Sequence, residues 1–409
     1  MSRLEDATLP FDQHVKQVFQ EVRVSLSDLM LSVGSDPSRP QEAARQLGIH
    51  KNLAWKVSRI IREMDPATAL SAMPGREGLN IFLRAIEKSG AHERSVTAAR
   101  NALAEFERMI SIHSGDRDTL ELMLSGLSQE ADAQRSEALR KLSYRGNSAI
   151  WGVQARIQLC VNIISPSEDP EWADLAWLSG LVDFRRLRSD VRWPIAAARK
   201  ADDAGEEVSL GEIKPIDSDA DYMESPPLLR DFCSSPLPEI RVATANDGML
   251  RYELLEGPIG KTAAVTCMVG IVGRKFVRRR RVEGDTIGEH NARLNTPAEL
   301  LIHELYVHED LEHALHPRAL LYSQLPSQPS YPLGGRESGV LPLAEQVQSL
   351  GGGPPDSFLP ELQEYSRNLQ SVFDRLGWDS QRFHGFRLRL KYPPMPALAV
   401  MRYDLPAET

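Results

Sequence analysis

The period of the apolar residues changes once along this chain, and that change constrains the fold more than any single motif. From Phe11 to Met30 apolar side chains fall at Val15, Val18, Phe19, Val22, Leu26, Leu29 and Met30, the spacing of one helical face. Helical periodicity then runs through "GREGLNIFLRAIEKSG" and "SVTAARNALAEFERMISIHSG", each with a glycine just past its end, and on to "SYRGNSAIWGVQARIQLCVNII". Beyond residue 228 the apolar segments are short, rich in Val, Ile, Leu and Tyr, and bounded by Gly, Asn, Asp or Pro. They read as strands: "EIRVATAND", "MLRYELLEG", "TAAVTCMVGIVG", "KFVRRRRVEG", "ELLIHELYVHED", "ALLYSQL", "GFRLRLKY" and "ALAVMRYDL". One late helix, "PELQEYSRNLQSVFDRLG", interrupts them. The expectation is an α+β fold, with an N-terminal all-helical domain over 1–165, a helical connection over 166–199, and a strand-rich C-terminal domain over 228–409 capped by that helix. No internal repeat of fixed period is visible.

At 409 residues the chain is long enough for two or three domains of ~100–200 residues. Its 42% apolar and 26% charged residues are those of a globular protein. No apolar run reaches the ~18–20 residues that cross a bilayer, and "MSRLEDATLPFDQH" lacks the basic and then apolar order of a signal peptide, so a cytoplasmic protein without a membrane partner is expected. Cys160, Cys233 and Cys267 lie far apart in the sequence, in apolar or mixed surroundings, which fits reduced structural thiols. Segment 200–227 holds nine acidic and two basic residues, a net of −7 within a chain of net −9. Such a segment buries little apolar surface and reads as an exposed acidic linker or loop.

Inside this negative chain, Arg39 to Arg62 carries six Lys/Arg and one Glu. In "RPQEAARQLGIHKNLAWKVSRIIREM" Ala43 and Ala44 are small contacts, Leu47 closes a first helix, Gly48 supplies a turn and Ile49 plugs the corner. Ala54, Val57 and Ile61 then face inward from a second helix. The stretch resembles the helix-turn-helix of bacterial transcription regulators over residues 39–64 only. The resemblance implies that the second helix enters a major groove of double-stranded DNA, with His50, Lys51, Asn52, Lys56 and Arg59 toward the bases and Arg39, Arg45 and Arg62 toward phosphates. Asn suits adenine edges and Lys guanine edges. Trp55 departs from the pattern by standing where a polar residue is usual, and no strand pair follows Met64, so the motif is expected to be wingless. Regulators of this kind bind as homodimers, and the Val15–Met30 stripe is either a pairing surface or the cover of a three-helix core.

Other constellations are weaker. Gly260-Lys261-Thr262 ends like a phosphate loop, but Leu255 stands where its first glycine belongs, so a turn is expected. His303, His308, His313 and His316 lie among Glu304, Glu309, Asp310 and Glu312 without metal-binding spacing; His303 and His308 fall on opposite faces of a strand, while His308 and Asp310 share one. Arg274, Lys275, Arg278, Arg279, Arg280 and Arg281 are expected to alternate along a strand and to meet acids of the linker or neighbouring strands, or else a second nucleic acid contact. Trp151, Trp177, Trp193, Arg185, Arg186 and Arg188 suit a core, or an effector pocket between the helical and strand-rich parts. No catalytic set, cofactor or metal ligand can be assigned. These features together point to a sequence-specific DNA-binding transcription regulator with a C-terminal ligand- or partner-sensing domain. Two alternatives stay open: an assembly protein whose helices mediate oligomerisation, and an enzyme acting through the C-terminal half.

Overall fold

The computed structural model describes residues 9–127, 133–199, 213–217, 225–244, 249–282, 286–324 and 339–407. The chain divides into two compact units, 1–131 and 132–409.

The regular elements of the first unit, among its described residues, are all helices: α1 (Phe11–Ser32), α2 (Pro40–Leu47), α3 (Lys51–Arg62), α4 (Pro66–Ser71), α5 (Arg76–Lys88), α6 (Glu93–His113) and α7 (Arg117–Leu127). All seven apolar residues of the Val15–Met30 stripe are buried, in one cluster with Val57 and Ile60 of α3, Phe82 of α5 and Phe106 of α6. The pairing-surface reading of α1 is therefore overturned, because that face packs into its own core. α2 begins on Pro40, whose missing N–H has no partner to lose at a helix start. It ends on Gly48 at φ 64°, with Ile49 N–H donating to Ala44 O (3.1 Å) and Gly48 N–H to Arg45 O (3.4 Å). This paired closure satisfies two otherwise orphaned carbonyls. On α3, Ala54 and Val57 face inward as expected, but the third buried apolar position is Ile60, with Ile61 only partly covered.

Gly48 is where this hairpin depends most on backbone freedom. A Cβ there would meet nothing within 4 Å, so Gly48→Ala tests the left-handed conformation alone. The substitution is expected to cost about 1–2 kcal/mol. The measurement is a lower urea midpoint for loss of helical ellipticity, partly restored by Asn; an unchanged midpoint would mean that the turn does not need glycine.

The second unit opens with α8 (Ala133–Trp151), closed by Gly152 at φ 71°. Strands follow at once: β1 (Val153–Pro166), β2 (Trp172–Arg186), β3 (Trp193–Arg199) and β4 (Ile213–Pro215). The expected helix over 153–165 and helical connection over 166–199 are thus strands. The reason is visible in "VQARIQLCVNI", where apolar Val153, Ala155, Ile157, Leu159, Val161 and Ile163 alternate with polar or small residues at period two. Part of the acidic linker is also structured. β4 pairs with β7 (Val265–Arg278), and Asp217 takes a hydrogen bond from Arg230 N–H (2.8 Å) and an ion pair from Arg375 (2.6 Å). Residues 200–212 and 218–224 of that segment lie outside the described residues.

The remaining strands are β5 (Ile240–Thr244), β6 (Met249–Leu254), β8 (Ile287–Leu294), β9 (Ala298–His308), β10 (Arg318–Ser323), β11 (Val340–Leu341), β12 (Gln348–Gly352), β13 (Phe383–Lys391) and β14 (Ala397–Asp404). A seven-stranded sheet has the order β12-β13-β9-β1-β2-β7-β4, with β1 and β9 parallel and the other pairs antiparallel. One face carries α9 (Tyr365–Leu376), whose Leu369, Val372 and Phe373 pack on Ile157, Leu159, Ile302 and Tyr306. This is the capping helix. Against the opposite face lies a four-stranded sheet of order β11-β10-β14-β8, joined through Leu301, Leu305, Leu388, Ala399 and Met401. A three-stranded sheet, β3-β6-β5, completes the unit.

Candidate functional site

The second helix of the hairpin presents a consistent outer side. Lys51, Asn52, Trp55, Lys56 and Arg62 are exposed, and Arg59 is half-buried with its guanidinium 5.3 Å from the centre of the Trp55 ring. Ala54, Val57 and Ile60 hold the opposite side in the core, so the sequence forces the polar residues outward. Trp55 remains 50% exposed, so the one large apolar ring on this side stays open to contact. His50 is exposed but also caps α3, its Nδ1 accepting from Asn52 N–H (3.3 Å). Arg45 is exposed on α2. Arg39 is exposed too, but its guanidinium pairs with Asp36 (3.7 Å) and Glu42 (3.3 Å). Among the described residues no acidic side chain lies within 4.0 Å of the charged ends of Arg45, Lys51, Lys56, Arg59 or Arg62. Helix α4 follows directly, so the motif has no wing.

A second feature lies wholly within the strand-rich unit. Beyond the edge strand β8 of the four-stranded sheet, β1, β2 and β7 of the seven-stranded sheet and β3 and β6 of the three-stranded one line a cavity of about 980 Å³. The floor includes Gln158, Asn162, Trp177 and Ile271, and β8 contributes His290 and Arg293. Gln158 donates from Nε2 to Arg293 O (2.6 Å), which turns its Oε1 the other way; that buried oxygen has no partner among the described residues. Asn162 stands 3.2 Å from His303 Nε2, while His303 Nδ1 has no partner among the described residues. His290 Nε2 is 3.0 Å from the Tyr403 hydroxyl. Such a chamber is of the size that small-molecule sites take, ~300–1,000 Å³.

Burial holds His290 at a pKa of about 4, and burial with His290 nearby holds His303 at about 3, so both are neutral in the fold. An unfolded histidine takes a proton near ~6.5, so the unfolded state binds more protons as pH falls through that value. Stability is therefore present above about pH 6.5 and lost progressively below it, on the order of 2 kcal/mol per histidine by pH 5. Five of the six tryptophans, Trp151, Trp172, Trp177, Trp193 and Trp378, belong to this unit and report its unfolding. The urea midpoint of tryptophan emission should fall between pH 7 and pH 5, and His303→Gln should remove part of that fall. An identical pH slope in the variant would count against buried neutral histidines.

The other expected residues are dispersed. His303 and Glu304 are both fully buried but point to opposite faces of β9. Glu304 accepts from Arg387 Nε (2.6 Å), Tyr306 OH (2.8 Å) and Tyr365 OH. His308 lies 3.6 Å from Asp310, which is past the strand end and is also engaged by Arg382 (3.1 Å). The arginine run does not simply alternate: Lys275 at φ 52° lies where the register of β7 against β2 shifts, and the strand ends at Arg278. Arg274 pairs with Asp174 (2.7 Å), Lys275 with Asp169 (3.9 Å), and Arg278 stacks on Trp172 (4.5 Å). Gly260 makes a turn at φ 92° into a short 3-10 segment. Of the tryptophan and arginine set, Trp177 alone lines the cavity; Trp193 donates to Thr296 (2.9 Å) and Arg185 pairs with Glu299 (2.9 Å). The cavity lies inside the strand-rich unit and is not built from that set. Comparison with protein-family models, curated proteins and solved structures finds no match to this chain. No described helix is long and apolar enough to cross a membrane.

Proposed function

We propose that this protein is a sequence-specific DNA-binding transcription regulator, acting as a homodimer, whose strand-rich unit senses a ligand or partner. The observation that carries the reading is the outer side of α3, where Lys51, Asn52 and Lys56 stand exposed beside Arg59 and Arg62 on a helix with no acidic residue. A structural hairpin has no need of such a side. Cations held 4.0 Å or more from any described carboxylate keep their charge for phosphates, and an exposed amide among them supplies base discrimination. Gly48 and the paired hydrogen bonds behind it fix the angle at which the helix leaves the core. The α1 stripe, one candidate for the pairing surface of such a dimer, is buried in its own unit, so the proposed dimer would pair through another face.

Selection of bound duplexes from random sequence, followed by footprinting, tests the reading. The expected product is an inverted repeat with half-sites about 10 base pairs apart centre to centre, the spacing of one helical turn. Its affinity should fall with salt along a log–log slope of roughly −3 to −5 per subunit, as about four or five cations displace counterions. Recovery of no enriched sequence, with binding equal to bulk DNA at every salt concentration, would overturn it.

A further inference from the structure

We propose that Cys233 and Cys267 form a peroxide-responsive thiol pair, which a hydroperoxide converts to a disulfide within the strand-rich unit. The chain places the two side by side. Residues 227–234 run antiparallel along β7: Gly270 N–H donates to Pro227 O (2.9 Å), Leu229 N–H to Met268 O (2.9 Å) and Ser234 N–H to Thr266 O (2.9 Å). Between them the 3-10 turn Arg230–Phe232 lifts the backbone off the strand, and Cys233 brings it back. Its sulfur takes the place in the ladder that the turn leaves open, 3.4 Å from Met268 N and 3.6 Å from Met268 O. The thiol of Cys267, the residue before Met268, hydrogen-bonds this sulfur. Both thiols are free, Cys267 buried and Cys233 partly exposed. The turn itself is pinned: Phe232 packs edge-on against Tyr365 (6.2 Å), and α9 holds Asp231 through Asn368 (2.7 Å) and Arg375 (2.7 Å).

The arrangement gives the two sulfurs different parts. In a hydrogen-bonded thiol pair the acceptor ionises first and the donor keeps its proton. The bond from Cys267, helped by Met268 N–H, holds the Cys233 thiol below its ordinary value against burial and the Asp217 carboxylate. The same bond, with burial, pushes Cys267 up. Cys233 is therefore the attacking thiolate and Cys267 the resolving thiol. In the first step a bond forms between the Cys233 sulfur and one peroxide oxygen, the O–O bond breaks, and the departing oxygen takes up the proton that the thiol released. Cys267 then attacks the resulting sulfenic acid: the S–S bond forms, the S–O bond breaks, and the hydroxide leaves as water with the Cys267 proton. The two thiols lose two electrons and the peroxide gains them, so hydrogen peroxide yields one disulfide and two waters. Access to the partly covered Cys233 favours a small oxidant over a bulky disulfide. Cys160 is the internal control, since burial pushes its thiol up to about 12 and leaves it unreactive.

Nothing in this chemistry depends on DNA, so the full chain is tested alone. Treated with hydrogen peroxide at neutral pH, the folded protein should lose two of its three thiols, and dithiothreitol should restore both. Tryptic mapping without reductant should show residues 231–241 joined to 262–274, the peptides that carry Cys233 and Cys267, in a chain that still runs as a monomer on a denaturing gel. The urea-unfolded chain should show no such preference among its pairings. Cys233→Ser should slow thiol loss by on the order of tenfold or more, because the thiolate is the nucleophile. Cys267→Ser, whose hydroxyl can still donate to Cys233, should leave a sulfenic acid there that dimedone labels. Two merely structural thiols would give no such adduct. Mapping of the parent needs no variant, so a variant that fails to fold leaves the test standing. Retention of all three thiols by the folded protein, a disulfide through Cys160 or between chains, or pairing no more selective than in the unfolded chain would overturn the proposal.

Discussion

Replacing Glu304 by alanine is expected to lower the stability of the strand-rich unit by about 3–5 kcal/mol, the usual cost of leaving one partner of a buried ion pair alone. Glu304 sits at the centre of β9 with none of its surface exposed, directly across the ladder from Arg387 of β13. Arg387 binds its carboxylate at 2.6 Å and uses its other nitrogens on Phe358 O (3.0 Å) and Ser357 O (3.2 Å). Tyr306 and Tyr365 donate to the second oxygen, and Tyr365 begins α9. Burial pushes the Glu304 carboxyl above its ordinary value, while Arg387 and the two hydroxyls pull it down. Three donors around two oxygens fit the carboxylate form. The network thus ties the capping helix and the 357–358 segment to one strand. Its loss should appear as a lower urea midpoint in tryptophan emission. The double substitution Glu304→Leu with Arg387→Met, which removes both charges, should recover part of the difference, since the hydroxyls of Tyr306 and Tyr365 still lose their acceptor. A single variant as stable as the parent would show that the network contributes little.

The same residues show what the sequence made legible. The helical unit was readable because its apolar period is unbroken and Gly48 stands where a left-handed residue is needed. β9, β13 and β14 were readable because they are short, apolar and bounded by turn residues. At 153–164 both signals were present: apolar residues at 153, 155, 157, 159, 161 and 163 alternate at period two, yet Ile164 and Cys160 fill the other face as well and blur it. A strand covered on both faces resembles a buried helix until its neighbours are known. Ile60 rather than Ile61 completing the α3 core is a shift of one residue that the packing of the surrounding helices decides. The cavity had no local signature at all. Gln158 and His290 are separated by more than a hundred positions, and only the meeting of the three sheets brings them to one space. Glu304 and Arg387 left a fainter trace, as charges inside apolar strands, which signals a buried pair but not its partner.

Alanine at Lys51, Asn52 and Lys56 together is expected to reduce affinity for the selected DNA at least a hundredfold and to erase sequence preference. The three side chains are exposed, so their removal should leave the fold within about 0.5 kcal/mol of the parent, and far-UV ellipticity checks this directly. Any loss of binding then belongs to the interface. Asn52→Ala alone should cost about 1–3 kcal/mol and relax preference at one base pair, because a bidentate amide contact discriminates there and nowhere else. Arg45→Ala should weaken selected and unselected DNA alike and make the salt slope shallower by about 1, as a phosphate contact does. Arg39→Ala should do less, since Asp36 and Glu42 already hold that guanidinium. The contrast between Asn52 and Arg45 is the decisive comparison. Uniform loss from both would indicate attraction to any polyanion, while loss of preference from Asn52 alone places α3 in a groove, reading bases from the helix that Gly48 turns outward.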